Sequence, residues 1–409
     1  MKKLLLILFL LPQILFAQEG MKFVHGKTWN EILKQAAKEK KYIMIDAYTT
    51  WCGPCKYMSN TIFPMPEAGK FYNANFINVK VQMDKTEADN EEIKSWYATA
   101  AEMEKKYNVM VYPTYLFLNS KGELVHRAVG SSDVNGFIEK GKSALDPEKQ
   151  FYTLQKKYQE GNRETKFLKN LAYAASDVYE MKFAAEVADA YLETQKDYWS
   201  KETLEFIVRF SQESSSKGFQ FLIKNYEKAD HILGDYKASK TIVGIITQEE
   251  VFKKIKRGSF PSEEEWKKME ENINEKYPEF ASESILKAKT SVYKAAKEWE
   301  NYFSASMQYI EKYEAKISAN DLNSFAWTFF EQNENAEQLN IALRWSKKSF
   351  EDKENPAFMD TYANLLYKLG RVDEAVAMET KAMGLLTNDE DKTAYQETIE
   401  KMKKGEKTW

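Results

Sequence analysis

Cys52 and Cys55, in Trp51-Cys52-Gly53-Pro54-Cys55-Lys56, are the two thiols of a 409-residue chain. A cysteine attacks or ligates as its thiolate, and a thiolate is stabilised by the free N–H groups and positive dipole end at a helix start. Cys52 follows directly on an apolar run, and the spacing predicts a helix over 55–61. Pro54 would sit at an early helical position, where its missing N–H removes no needed bond. Three chemistries suit such a pair: a reactive dithiol, half of a zinc site, or a structural disulfide. Zinc wants four ligands, yet no other cysteine exists and His25, His126 and His231 are scattered. A structural disulfide closing so short a loop would constrain the unfolded chain little. Reactive thiol chemistry is the reading these residues fit best, with no metal.

The elements that must hold the pair can be read from hydrophobic period. Thr28–Lys40 carries Trp29, Ile32, Leu33 and Ala36 on one face, an amphipathic helix with Thr28 as its N-cap. Tyr42–Tyr48 (YIMIDAY) is nearly unbroken apolar, as in a strand buried on both faces. Asn75–Met83 reads as a second strand, Glu91–Tyr107 as a helix and Thr114–Asn119 as a third strand. A Ser120-Lys121-Gly122 turn leads into Glu123–Val129, making a hairpin, and Ser132–Ala144 is a closing helix. This order implies a mixed central sheet flanked by helices.

With that frame, the Trp51–Lys56 motif resembles the active site of thioredoxin-fold oxidoreductases, over about 23–145. The resemblance implies that Cys52 attacks a substrate disulfide and that Cys55 resolves the mixed disulfide, so that the redox-active Cys52–Cys55 disulfide takes the place of a cofactor. Asp46, six residues before Cys52 in an apolar run, matches the family's buried aspartate. An acid there should have a raised pKa and could relay a proton to or from Cys55. Pro113, in Val111-Tyr112-Pro113-Thr114, matches the cis-proline that faces the cysteines and presents the Tyr112 backbone to an extended substrate. Lys80 matches a family lysine near the aspartate, and Trp51 is expected to cover the disulfide. Gly53-Pro54 is the dipeptide of reducing members. The charged stretch Asp84–Lys106 is longer than a minimal thioredoxin needs, which bears on the shape of the substrate groove.

The character of the chain changes at Asp146-Pro147. Only Pro261, Pro278 and Pro356 come later, and Glu, Lys, Ala, Leu and aromatics recur at helical spacing. Helices are expected at 166–176 and 183–194. Phe325-Ala326 matches Tyr362-Ala363, and Ala342, Trp345, Ser349 and Phe350 match Ala375, Met378, Ala382 and Met383 at a 33-residue offset. Tyr367–Ala375 looks like the turn between the helices of a tetratricopeptide repeat. The expected organisation is a signal peptide (1–17), a thioredoxin-fold α/β domain (18–146), a helical domain (147–310) and tetratricopeptide-like repeats (311–409), with Lys403–Lys407 as a solvated tail.

Composition narrows the function. There are 59 Lys and Arg against 62 Asp and Glu, a formal charge of −3 that supplies no basic field for nucleic acid. Met1-Lys2-Lys3, the apolar run Leu4–Leu11 and Leu15-Phe16-Ala17 resemble a cleavable export signal. The expectation is an exported protein, in the periplasm of a Gram-negative bacterium, where disulfides persist. It is expected to reduce protein disulfides, to draw electrons from a membrane thiol-electron carrier, and to carry helical repeats that bind a client or pair with another subunit. The alternative is a repeat-based binding adaptor in which the thiol pair is accessory.

Overall fold

The computed structural model describes residues 20–256 and 259–409. The expected signal segment, 1–17, lies outside the described residues. The chain divides into two compact units, Met1–Lys196 and Asp197–Trp409.

In the first unit, α1 (Trp29–Glu39) starts at Thr28 through a reciprocal cap. The Thr28 hydroxyl accepts the Glu31 N–H, while the Glu31 carboxylate takes the Thr28 N–H. Strands β1 (Tyr42–Tyr48), β2 (Phe76–Gln82), β3 (Thr114–Leu118) and β4 (Leu124–Val129) form one sheet in the order β2-β1-β3-β4. The β1–β2 pairing is parallel and the other two are antiparallel. Alternation along β1 sends Ile43, Ile45 and Ala47 to one face, where they pack with Ile32, Ala36, Val79 and Leu116. Met44 points to the other, with Phe63, Tyr72, Phe117 and Phe137. Asp46 shares the Met44 face by the same alternation.

The remaining helices around the sheet are α2 (Gly53–Tyr57), α3 (Pro66–Asn75), α4 (Glu91–Ser95), α5 (Tyr97–Lys106) and α6 (Val134–Leu145). Helix α2 continues through a π-helical turn, Met58–Ile62, whose Met58 and Ile62 pack on the Asp46 face of the sheet. Two elements differ from expectation. Helix α3 has no counterpart in the sequence reading, because Gly69 and two asparagines blur its helical period. The single helix expected over Glu91–Tyr107 is two helices jointed at Trp96, with Asn90 capping α4 through the Ile93 N–H.

The same unit continues past the composition change into α7 (Phe151–Gln159), α8 (Thr165–Asp177) and α9 (Met181–Glu193). Two buried β4 side chains hold these helices. His126 Nδ1 accepts the Phe151 N–H at 3.1 Å, and Arg127 pairs with Glu180 at 2.9 Å. Burial pushes the His126 pKa down to about 4, so the ring stays a neutral acceptor at pH 7.

The second unit is all-α among its described residues. It comprises α10 (Lys201–Phe210), α11 (Lys217–Leu233), α12 (Lys237–Ile246), α13 (Glu263–Lys276), α14 (Ala281–Ala296), α15 (Trp299–Tyr313), α16 (Ala319–Gln332), α17 (Ala336–Ser349), α18 (Pro356–Lys368), α19 (Val372–Gly384) and α20 (Asp389–Lys404). Helices α16/α17 and α18/α19 are the expected repeat pairs. Their matched small residues Ala342, Ala375, Ser349 and Ala382 are buried, as close helix approach requires. Gly370, at φ 80°, makes the α18–α19 turn in a backbone region open to glycine. The 403–407 segment is not a free tail. The Tyr367 hydroxyl donates to the Glu406 carbonyl, and Trp409 packs on Phe330 with ring centroids 5.8 Å apart, so the segment is anchored at these two points while its lysine side chains stay solvent-exposed as expected.

Candidate active site

The site is built where β1 ends and α2 begins. Cys52 is the N-cap of α2, and its sulfur accepts the Cys55 N–H at 3.1 Å. Pro54 occupies the first turn without costing a helix bond. The two cysteines are joined as a disulfide with Cα atoms 5.3 Å apart. Each is only 3% exposed, so burial does not separate an attacking sulfur from a resolving one. Position does: Cys52 caps the helix and takes an N–H bond that would stabilise a thiolate, whereas Cys55 lies inside the first turn.

The loop before the pair is pinned from the end of β2. Both the N–H and the hydroxyl of Thr50 donate to the Asp84 carboxylate, the N–H at 3.0 and 3.1 Å. Asp84 opens the charged stretch noted in the sequence. Asp89 organises the start of that stretch by accepting from Gln82, Thr86 and Tyr97, bonds that hold its carboxyl well below the usual range.

Trp51 stands 70% exposed beside the cysteines, with its ring edge-on to Tyr112 at 6.0 Å. The Tyr112–Pro113 peptide bond is cis. Its loop is fixed on both sides: the Tyr112 hydroxyl donates to Glu104, the Thr114 hydroxyl to the Val111 carbonyl, and the Gly130 N–H to the Pro113 carbonyl. Trp51, exposed Gly53 and Pro54, and Tyr112 together make a surface with apolar rings and free backbone around the disulfide.

Asp46 is 2% exposed, and one of its carboxylate oxygens has no hydrogen-bond partner. The other lies 3.5 Å from Lys80 Nζ, the residue opposite it in the β1–β2 register. Burial pushes the Asp46 pKa up to about 6 against the opposing pull of Lys80. Lys80 is held by Ser59 Oγ at 2.5 Å and by the rings of Tyr48, Phe63 and Phe23, with Nζ 4.8–5.4 Å from their centroids. On the other side of Asp46 in the sheet stands Tyr115, fully buried with an unpartnered hydroxyl, its pKa raised by burial and by the Asp46 charge. This leaves a carboxyl that can take or give a proton near neutral pH on the sheet face covered by the helix of Cys55.

Ser59, Tyr115 and Asp84 are functional neighbours that sequence reasoning missed. Register alone could have found Tyr115, since alternation in Thr114–Leu118 puts it on the Asp46 face; no local signal marks the other two. His25, His126 and His231 are not brought together, and no cluster of three or more His, Cys, Asp or Glu residues suited to a metal occurs among the described residues.

Residues 29–144 match the family model of the thioredoxin-like domain. Thioredoxin H-type 2 of Nicotiana tabacum is 32% identical over 117 residues, which is 28% of this chain and 83% of that protein. The chain belongs to the thioredoxin-like family. Thioredoxin H5 of Arabidopsis thaliana is similar at 31% identity over 106 residues, 26% of this chain and 74% of the relative. A solved structure of a candidate disulphide-isomerase from Bacteroides thetaiotaomicron is 37% identical, covering 31% of this chain and 95% of that one, with a TM-score of 0.26. These likenesses concern the thioredoxin-like domain, whose Cys52–Cys55 pair is the family's redox-active element.

Proposed function

We propose that the protein is a thiol–disulfide oxidoreductase of the cell envelope that reduces protein disulfides. The observation that carries this reading is the capping of α2 by Cys52, with the Cys55 N–H on its sulfur and Asp46 buried beneath the pair's helix. In the reduced protein the Cys52 thiolate attacks one substrate sulfur, and the other leaves as a thiolate. Cys55 loses its proton to Asp46, attacks the Cys52 sulfur and expels the second substrate sulfur as a thiolate while the Cys52–Cys55 disulfide forms; the two substrate thiolates take one proton from Asp46 and one from solvent. Two electrons pass from protein to substrate. Trp51 and the Tyr112–Pro113 segment receive the extended substrate, and Lys80 holds Asp46 in place.

Two sequence features and one general property of disulfides support direction and place. Gly53-Pro54 is the dipeptide of reducing relatives, the N-terminal residues resemble an export signal, and oxidised pairs persist outside the cytoplasm. An exported reductase needs electrons from a membrane thiol-electron carrier, which restores the dithiol after each turnover. The helical repeats are assigned to holding a client protein. The test is a reduction potential with a trapping variant. A potential below about −230 mV, with proteins captured as mixed disulfides by Cys55→Ser, supports the reading. A potential above about −180 mV reverses the direction, and an empty trap removes the enzymatic role.

A further inference from the structure

Arg127 is a charged residue where a sheet core expects none. It sits on β4, 4% exposed, opposite Leu116 in the β3–β4 register. Its guanidinium makes three contacts with parts of the chain far apart in sequence. One nitrogen meets the Glu180 carboxylate at 2.9 Å. The other donates to the carbonyls of Tyr107 at 2.8 Å and Asn108 at 3.1 Å. Those carbonyls lie just past the last turn of α5, where a helix leaves its C=O groups without intrahelical partners and favours a cation. Glu180 supplies the charge that lets the guanidinium be buried, because a buried ion without its counter-ion is costly. It reaches that position from the tight α8–α9 turn, in which Tyr179 takes a left-handed backbone (φ 62°) that a tyrosine rarely adopts.

The clamped carbonyls begin the loop that ends at the cis-proline. Val109 is buried next to them, Met110 is 77% exposed, and Tyr112 faces Trp51. At the far end the loop is held by Thr114 on Val111 and Gly130 on Pro113. Without Arg127, its near end would keep the Val109 N–H bond to the Glu104 carbonyl at 3.0 Å, the buried Val109 side chain and the bond of Tyr112 to Glu104, but would lose the side-chain hold on the Tyr107 and Asn108 carbonyls.

We propose that the Arg127–Glu180 pair is a positioning device for the substrate loop, through which the helices added after the sheet set how protein substrates dock. The proposal rests on the reductase reading above. Arg127 touches no reacting atom, so its loss should weaken recognition of extended polypeptides while leaving sulfur chemistry intact. A planar guanidinium can serve a carboxylate and two carbonyls at once, which a lysine ammonium on its single point cannot do in the same geometry.

The test compares full-length wild type, Glu180→Gln and Arg127→Lys on insulin as a protein disulfide, with the proteins recycled by dithiothreitol, and on dithiobis-nitrobenzoate as a small one, with the proteins pre-reduced, freed of reductant and followed through a single turnover. The expected result is a KM for insulin raised about threefold or more, with the small-disulfide rate and the reduction potential of the cysteine pair unchanged. Unchanged insulin KM in either folded variant overturns the proposal. Proportionate loss on both substrates also overturns it, since that is what a merely structural ion pair would give. Arg127→Lys retains a buried cation for Glu180 and serves where Glu180→Gln fails to fold. A wild-type protein that reduces neither disulfide would instead sink the reductase reading, and the proposal with it.

Discussion

Asp46→Asn should make the protein more stable and less active at the same time. The folded carboxyl has a pKa of about 6 against an ordinary 3.8, because burial penalises its charge more than Lys80 relieves it. The folded state therefore binds this proton more tightly than the unfolded chain does. Stability from this group is highest below about pH 4, is lost as pH rises to about 6, and stays flat above. A shift of about two pKa units corresponds to ~3 kcal/mol across that window. Asparagine avoids the charge but leaves a buried amide short of partners and gives up the lysine contact, which offsets about 1 kcal/mol. The net expectation is a gain of about 2 kcal/mol at pH 8 and no gain, or a loss of up to about 1 kcal/mol, at pH 4. Guanidinium unfolding of the oxidised protein at both pH values, monitored by near-UV circular dichroism, measures it. Insulin reduction should slow in the variant, since Cys55 loses its proton acceptor. A variant less stable than wild type at pH 8, or equally stabilised at both pH values, would refute this reasoning.

The second unit holds a further buried acid. Glu379 is fully buried on α19 beside Asp360 of α18, and burial together with the Asp360 charge pushes its pKa up to about 9. A raised acid gives stability that is present below its ordinary pKa and lost as pH rises toward 9, so Glu379→Gln should raise the melting temperature at pH 8 by about 3 °C or more and leave it unchanged at pH 4. Calorimetry checks both arms. Removing the Asp84 carboxylate should loosen the turn that presents Cys52: Asp84→Ala is expected to cost about 1–2 kcal/mol by urea unfolding and to lower insulin turnover, and an unaltered midpoint would contradict the pinning of Thr50.

The features legible in the sequence are those whose signal is local. Tyr42–Tyr48 was legible as a doubly buried strand because its apolar run is unbroken, and the structure gives those same bounds. The cysteine pair and Asp46 were legible because the chemistry is carried by residue type at short spacing. Lys80 was legible through resemblance, although its hold on Ser59 and three rings was not, since the residues come from separate segments. Helix α3 escaped because its period is weak, and the break at Trp96 escaped because both halves are good helix formers. Arg127 and His126 sit in a run that reads as an ordinary hairpin strand, and their meaning appears only when Glu180 and Phe151 arrive from helices beyond the composition change. Glu379 shows the opposite failure. At the 33-residue offset it takes the place of buried Ser346, and nothing in the repeat pattern marks an acid as internal.

The most direct measurement on the central claim is the pH dependence of alkylation of the reduced protein by iodoacetamide, with each cysteine read separately by peptide mass. The helix-capping position predicts that Cys52 reacts first, with a midpoint below the free-thiol value of about 8.5, and that Cys55 lags behind it. A Cys52 midpoint at or above about 8.5, or a Cys55 that reacts faster, would contradict the account.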